Sequence, residues 1–83
     1  MSNGEIAERV VRYVVGEIVD EPDAIELEMV DDGEDAYMAE VRTAKSDMGR
    51  VIGRRGRVAR AIRTVASAAG DEEGVEVRVE FLD

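Results

Sequence analysis

The chain has 83 residues, 45% of them apolar, with no cysteine, no histidine and a net charge of −9. Its length predicts a single domain over residues 1–83 with a small core, and its apolar content is that of a globular protein. The absence of cysteine and histidine excludes disulfides, thiolate nucleophiles, the usual zinc sites and the commonest general base.

The first predicted element is an amphipathic helix of about four turns near the start of the chain. Ser2 and Glu5 have the spacing of a capping box, which predicts where this helix begins. Pro22 predicts its end, because proline disfavours the helical conformation at the residue before it. The apolar residues that recur at helical spacing in between are Ile6, Val10, Tyr13, Val14 and Ile18.

Two strands joined by an acidic turn are predicted next, and together they form a hairpin. From Ile25 to Met29 apolar residues alternate with glutamates, which is typical of a strand with one buried face. The turn is predicted at Asp31–Asp35, where an Asp-Gly pair favours positive φ angles. The second strand is predicted over residues 36–43, with one face formed by Tyr37, Ala39 and Val41.

A short helix, a glycine-flanked break and a long helix follow the hairpin. Ser46 or Asp47 is predicted to cap the short helix, which runs to Ile52. The break covers Gly53–Gly56, and the long helix is predicted to begin at about Arg57. The predicted buried side of the long helix consists of Val58, Ala61, Ile62, Val65 and Ala69.

The long helix is predicted to end at a glycine cap, Gly70, and a last strand follows a loop over residues 71–74. The inward side of this strand is formed by Val75, Val77, Val79 and Phe81. The resulting order, α-β-β-α-α-β, predicts an α+β fold in which a three-stranded sheet carries helices on one face. Stacking platforms for bases are not expected, because all three aromatic residues are at predicted core positions: Tyr13, Tyr37 and Phe81.

Positive charge is concentrated in one segment of this acidic chain. From Arg42 to Arg63 there are eight basic residues and one acid, a net charge of +7, whereas the remainder carries −16. A basic cluster acts on a ligand within a Debye length of about 8 Å even when acids lie elsewhere. The segment indicates a site for a polyanion only together with other features, because the charges alone favour a solvated helix face.

The tetrapeptide Gly53-Arg54-Arg55-Gly56 lies inside this basic segment, at the start of the long helix. Glycines without Cβ let the backbone come close to a phosphodiester chain, and a helix N-terminus favours phosphate. Arg54 and Arg55 are predicted to pair with phosphate oxygens, flanked by Arg50, Arg57 and Arg60. An apolar groove for unstacked bases is predicted from Val51, Ile52, Ala59 and Ile62.

The run from Val51 to Ile62, VIGRRGRVARAI, resembles the signature of KH domains, whose GxxG loop clamps about four nucleotides. The element order resembles the type II KH fold, and the whole chain is similar to the bacterial stand-alone KH proteins of the KhpA family. The resemblance implies non-enzymatic binding of single-stranded RNA with little sequence selectivity, and a chaperone-like role in RNA metabolism. It also implies pairing as a homodimer or with a second KH protein, KhpB.

The resemblance carries two expectations onto particular residues. It implies that Gly53, Arg54, Arg55 and Gly56 form the clamp and that Ile52 and Ile62 form the groove wall. Two departures from the family pattern are expected to affect binding, the first by loosening base readout and the second by limiting affinity. Ala59 stands where many KH domains have isoleucine, which implies a shallower groove, and the acidic loop Asp31–Asp35, which borders the groove in type II domains, is expected to repel phosphate.

Several other functions fit the sequence less well. A helix-turn-helix that enters DNA does not need three patterned strands, and the glycines match no phosphate-binding loop of nucleotide hydrolases. The acidic turn lacks the spacing of a calcium loop, so no metal or cofactor is expected. The main alternative is a KH-fold module for protein interaction or dimerisation with weak or no RNA binding. With no membrane-length apolar run and no signal peptide visible, a cytoplasmic location is expected.

Overall fold

The computed structural model describes residues 4–83 and has the predicted element order. No helix in this part of the chain is long and apolar enough to cross a bilayer. Single 3-10 turns occur at residues 22–24, 45–47 and 54–56. The helices and strands are α1 (Glu5–Ile18), β1 (Glu26–Asp31), β2 (Ala36–Arg42), α2 (Met48–Ile52), α3 (Arg57–Glu73) and β3 (Glu76–Phe81).

The three strands form one mixed sheet in the order β1-β2-β3. β1 and β2 form the predicted antiparallel hairpin, with Leu27 opposite Val41. β3 runs parallel to β2, with Tyr37 opposite Val77, because α2 and α3 make the crossover between them. The prediction of a three-stranded α+β fold is confirmed. β1 and β3 are both edge strands, so each has one side without a neighbouring strand.

The core lies between one face of the sheet and the helices. Alternate strand residues point into it, as the period-two pattern predicts, and their neighbours point to solvent. α1 and α3 pack against each other, and both contribute residues to the buried core. The buried apolar residues of these elements are Ala7, Val11, Val15, Ala39, Val41, Ala59, Ile62, Ala66, Ala69, Val77 and Val79.

The predicted buried faces of the two long helices are partly wrong. On α1 the large side chains of Ile6 and Tyr13 are 43% and 69% exposed, and on α3 Val65 is 43% exposed. The prediction that all three aromatic residues are in the core therefore fails for Tyr13. The reason is that each buried face is rotated from the predicted one. The residues that turn to the core are Ala7, Val11 and Val15 on α1 and Ala59, Ile62, Ala66, Ala69 and Gly70 on α3.

Gly70 is not the cap of α3 but a buried residue inside it, and the helix continues to Glu73. A Cβ at Gly70 would lie 2.7 Å from the carbonyl oxygen of Val75 and 2.7 Å from Cγ2 of Val77. Glycine is needed here because α3 passes so close to the start of β3. The cap is Gly74, whose φ of 73° is left-handed.

The N-terminus of α1 is capped by a distant carboxylate. Ser2, the predicted cap, lies outside the described residues, and Gly4 occupies the cap position without a side-chain hydrogen bond. Instead, the backbone N–H groups of Ile6 and Ala7 donate to Oε1 of Glu73, at 3.0 and 3.3 Å. Glu73 thus joins the end of α3 to the beginning of α1 and satisfies donors that a helix leaves unpaired.

Candidate nucleic-acid interface

The loop Gly53–Gly56 connects α2 to α3, and its backbone conformation requires its glycines. Gly53 has a φ of 76°, and a Cβ there would lie 2.9 Å from the backbone nitrogen of Val58. Gly56 has a φ of 71°, but a Cβ there would meet nothing within 4 Å. Arg55, between them, is also left-handed with a φ of 58°. Gly53 is thus fixed by packing within the chain, whereas Gly56 faces open space.

The loop lies at the surface and is followed by an uncapped helix. Arg54 and Arg55 are exposed, and both flanking glycines are half-buried. Gly56 occupies the N-cap position of α3 without a side-chain hydrogen bond. The N–H of Arg57, the first residue of this 17-residue helix, donates to the carbonyl oxygen of Arg54. Within residues 4–83, no side chain caps the N–H groups that follow it. Such groups, with the positive end of the helix dipole, favour an anion.

Four of the predicted basic residues are exposed and have no acidic partner. Arg54, Arg55, Arg57 and Arg60 form no ion pair with any acid between residues 4 and 83. Arg50 differs, because its Nη1 lies 3.2 Å from Oδ1 of Asp20. The structure therefore gathers four unneutralised guanidinium groups at the loop and the first turn of α3, and this concentration of charge suits a polyanion.

Most of the residues predicted to line an apolar groove are instead buried in the core. Val51 has no exposed surface, and Ala59 and Ile62 are each 2% exposed. Ile52 is half-buried and packs against the core cluster. Ile62 is covered because it lies on the side of α3 that packs into this cluster. Of the four predicted groove residues, Ile52 therefore offers the most surface to a ligand.

A second surface, which the sequence analysis missed, runs along the open edge of β3. Backbone N–H groups of Glu76 and Leu82 donate to Asp35 and Val41 on the β2 side. Strand residues alternate in direction, so Val77 and Val79 turn their backbone groups to the open edge. A shallow depression of about 500 Å³ lies here between β3 and α3. The strand order decides which edge is open, and no local sequence signal reveals it.

Arg63 and Ser67 of α3 line this depression. Nε of Arg63 donates to the carbonyl oxygen of Val79 at 3.1 Å, and its guanidinium carbon lies 5.7 Å from the ring centre of Phe81. Arg63 belongs to the basic segment, but no sequence pattern points to this contact, because β3 is not adjacent to Arg63 along the chain. Its side chain joins the basic face of α3 to the edge of the sheet.

The acidic turn is far from the glycine loop. The carbonyl oxygen of Asp35 accepts the N–H of Glu76, and Asp32 lies 3.6 Å from Arg78, so the turn adjoins the start of β3. The start of β3 follows the end of α3, and a 17-residue helix spans about 25 Å. Asp31–Asp35 therefore lies at the opposite end of α3 from Gly53–Gly56. The prediction that the acids of this turn repel phosphate at the glycine loop is therefore wrong, because the helix separates them by much more than a Debye length.

Asp47 has a different role from the predicted helix cap. It occupies the N-cap position of α2 but makes no side-chain cap hydrogen bond. Its carboxylate is 1% exposed and accepts the backbone N–H groups of Asp20 and Glu21, both at 3.1 Å. Asp47 thereby fixes the start of α2 to the segment after α1. These partners are 26 and 27 residues away, beyond the reach of a capping motif.

The model of the KhpA/KhpB KH-domain family matches residues 8–81. The chain belongs to this family. Among its KhpA relatives, the RNA-binding protein KhpA of Borreliella burgdorferi is 40% identical over 73 residues, 88% of each chain. The KhpA protein of Caldanaerobacter subterraneus is 40% identical over 87% of this chain and 95% of its own. The predicted family is therefore confirmed, and the relatives' names describe binding proteins, in agreement with the predicted non-enzymatic class.

The KhpA/KhpB assignment agrees with the fold seen in solved structures. A crystal structure of Aquifex aeolicus Era superposes with a TM-score of 0.66 and 19% identity. The superposition covers 90% of this chain but 29% of the Era chain. At this identity the likeness concerns the fold alone, and it shows the same domain architecture within a larger protein.

Proposed function

We propose that this KhpA/KhpB family protein binds single-stranded RNA, without catalysis, through the loop Gly53–Gly56. One observation carries the proposal: four exposed arginines that form no ion pair within residues 4–83 surround a helix N-terminus without a side-chain cap. The names of the KhpA relatives, which are RNA-binding proteins, support RNA as the polyanion. A role in RNA metabolism and a cytoplasmic location accord with this proposal.

The phosphate backbone is the part of RNA that the loop suits best. The open space at Gly56 admits a phosphate close to the main chain, where the N–H groups that follow Arg57 in the first turn of α3 can donate to it. Arg54 and Arg55 add charge-assisted hydrogen bonds, and Arg57 and Arg60 extend the positive surface along α3. Such contacts fix the strand without reading its sequence.

Bases from the same strand are proposed to lie between α3 and the open edge of β3. The N–H and carbonyl groups of Val77 and the N–H of Val79 face this edge, while the carbonyl oxygen of Val79 is held by Arg63. Arg63 offers a guanidinium plane, and Ile52 offers apolar surface beside the loop. Few side chains are available for readout, so we propose weak sequence selectivity and a chaperone-like mode of action. Binding to single-stranded oligomers of A, C and U is expected to be similar.

The first prediction concerns the loop arginines. Replacement of Arg54→Gln/Arg55→Gln removes two phosphate partners, and we expect RNA affinity to fall at least about tenfold, since each charge-assisted hydrogen bond contributes about 1.5–3 kcal/mol. Fluorescence anisotropy with a labelled single-stranded RNA measures the change.

The matched control is Arg9→Gln/Arg12→Gln, which removes the same charge from α1. These residues pair with Glu5 and Glu8 at the helix surface, so their loss is expected to change RNA affinity far less. Circular dichroism checks that both variants stay folded. Equal losses in the two folded variants, or unchanged binding in the loop variant, contradict the proposed site.

Pairing with a second KH domain is proposed as a further property of the same protein. Ile6 and Tyr13 lie seven residues apart on one face of α1, and Val65 lies on the neighbouring α3. They are the exposed large hydrophobic residues within the described chain, at 43%, 69% and 43% exposure. Apolar side chains of this size gain free energy when a partner covers them. We propose that this surface serves self-association or association with a KhpB-like protein.

A further inference from the structure

One basic residue of the proposed interface is already occupied by an acid of the same chain. Among the ion pairs formed within residues 4–83, only that of Arg50 with Asp20 engages the proposed interface. The Nη1–Oδ1 distance is 3.2 Å, and the two side chains are 56% and 67% exposed. Both groups are therefore accessible to solvent and to a ligand.

The position of Asp20 is fixed more firmly than that of an ordinary surface acid. Its backbone N–H donates to Oδ1 of the buried Asp47, and the next N–H, of Glu21, donates to Oδ2 of the same carboxylate. The Glu21 side chain also accepts a hydrogen bond from Ser46 at 3.4 Å. These contacts hold the segment after α1 against the start of α2, the helix that carries Arg50. Asp20 therefore meets Arg50 with less loss of chain entropy than an unrestrained pair.

We propose that Asp20 is a positioning residue that competes with RNA phosphate for Arg50 and so lowers the affinity of the interface. Carboxylate and phosphate oxygens are equivalent partners for a guanidinium group, so Arg50 contacts one or the other. The proposal rests on the proposed RNA-binding function. In this proposal Asp47 holds Asp20 in position. Arg50 is then only partly available to phosphate, unlike the four arginines of the loop and the first turn of α3.

The test compares Asp20→Asn with Asp23→Asn in anisotropy titrations with a single-stranded RNA oligomer. Each variant loses one negative charge from the same connection, but Asp23 is exposed in the 3-10 turn at residues 22–24 and forms no ion pair among the described residues. Asp20→Asn is expected to tighten binding by about threefold to fivefold, the latter equivalent to about 1 kcal/mol. Asp23→Asn is expected to change it by less than about twofold.

Salt dependence and a second background separate competition from a general charge effect. If Arg50 is released to phosphate, the slope of log affinity against log salt becomes steeper by about 0.7 in Asp20→Asn and not in Asp23→Asn. In an Arg50→Gln background, Asp20→Asn should have no more effect than Asp23→Asn. Equal effects of the two variants, or a gain from Asp20→Asn that persists without Arg50, would overturn the proposal.

The same titrations distinguish failure of this inference from failure of the proposed function. Unchanged RNA binding in Arg54→Gln/Arg55→Gln contradicts the loop as the clamp, whatever Asp20 does. If Asp20→Asn tightens RNA binding only when Arg50 is present, Asp20 competes with phosphate for Arg50. This result holds even if the loop arginines do not bind RNA, because it concerns a different pair of side chains. Melting temperatures by circular dichroism are expected to agree for Asp20→Asn and Asp23→Asn, since an exposed pair contributes little stability.

Discussion

The two glycines of the loop have different physical reasons for being glycine. Both have positive φ angles, which disfavour a side chain. At Gly53 an added Cβ would also collide with Val58, including its backbone nitrogen at 2.9 Å. At Gly56 the corresponding space is open, and the proposed function assigns that space to a phosphate. The sequence predicted both residues as a pair, but only the backbone geometry separates a structural glycine from one kept clear for a ligand.

This difference predicts distinct consequences for Gly53→Ala and Gly56→Ala. Gly53→Ala combines a left-handed φ with a steric conflict, so a loss of stability of about 2–3 kcal/mol or more is expected. Gly56→Ala carries the backbone cost alone, about 1–2 kcal/mol, and stays folded. In urea unfolding Gly53→Ala should be the less stable variant, while in RNA titrations folded Gly56→Ala should bind several-fold more weakly than the native chain. Full RNA affinity in Gly56→Ala would show that its open space is not used.

At the scale of the elements, the strands were predicted better than the helix faces. Strict alternation from Glu76 to Phe81 leaves one possible buried side, and the structure has that side. A helix face is broader, and bulky residues such as Tyr13 bias the pattern toward the margin of the contact. The end of α3 was misplaced because Gly70 is needed for close packing against β3, which a sequence pattern cannot distinguish from a cap.

The long-range cap of α1 gives a prediction at this scale. Glu73→Ala leaves the N–H groups of Ile6 and Ala7 without their acceptor, and a capping residue contributes about 1 kcal/mol. For a domain of this size that loss lowers the melting temperature by about 4–8 °C. Glu72→Ala is the control, because Glu72 is exposed and forms no hydrogen bond or ion pair among residues 4–83. Equal melting temperatures of the two variants would exclude the capping role.

At the scale of the whole molecule, the charges are divided between regions in a way that composition hides. The chain is strongly acidic, yet four arginines that form no ion pair in the described part of the chain lie at one end of α3, and the acidic turn lies at the other. Charge counting along the sequence found the basic segment correctly. The pairing of Arg50 with Asp20 and the open edge of β3 could not be predicted from the sequence, because both depend on contacts between distant parts of the chain.

The proposed pairing surface also belongs to this scale. Replacement of Tyr13→Ser/Val65→Ser removes exposed apolar surface and should shift sedimentation velocity toward the monomer, with little change in stability because neither residue is buried. Val30→Ser is the control, since Val30 is a partly exposed apolar residue of β1 away from the helix layer. An unchanged association state in the double variant would contradict this surface.

The central claim, that the loop and the beginning of α3 grip an RNA backbone, is tested most directly by mapping RNA contacts on the folded chain. A titration of the ¹⁵N-labelled protein with a single-stranded oligomer, followed by amide chemical shifts, resolves each residue. The account predicts the largest shifts at Gly53–Gly56 and in the first turn of α3, with smaller shifts along β3. Unperturbed loop amides, with the shifts confined to α1 or β1, would contradict it.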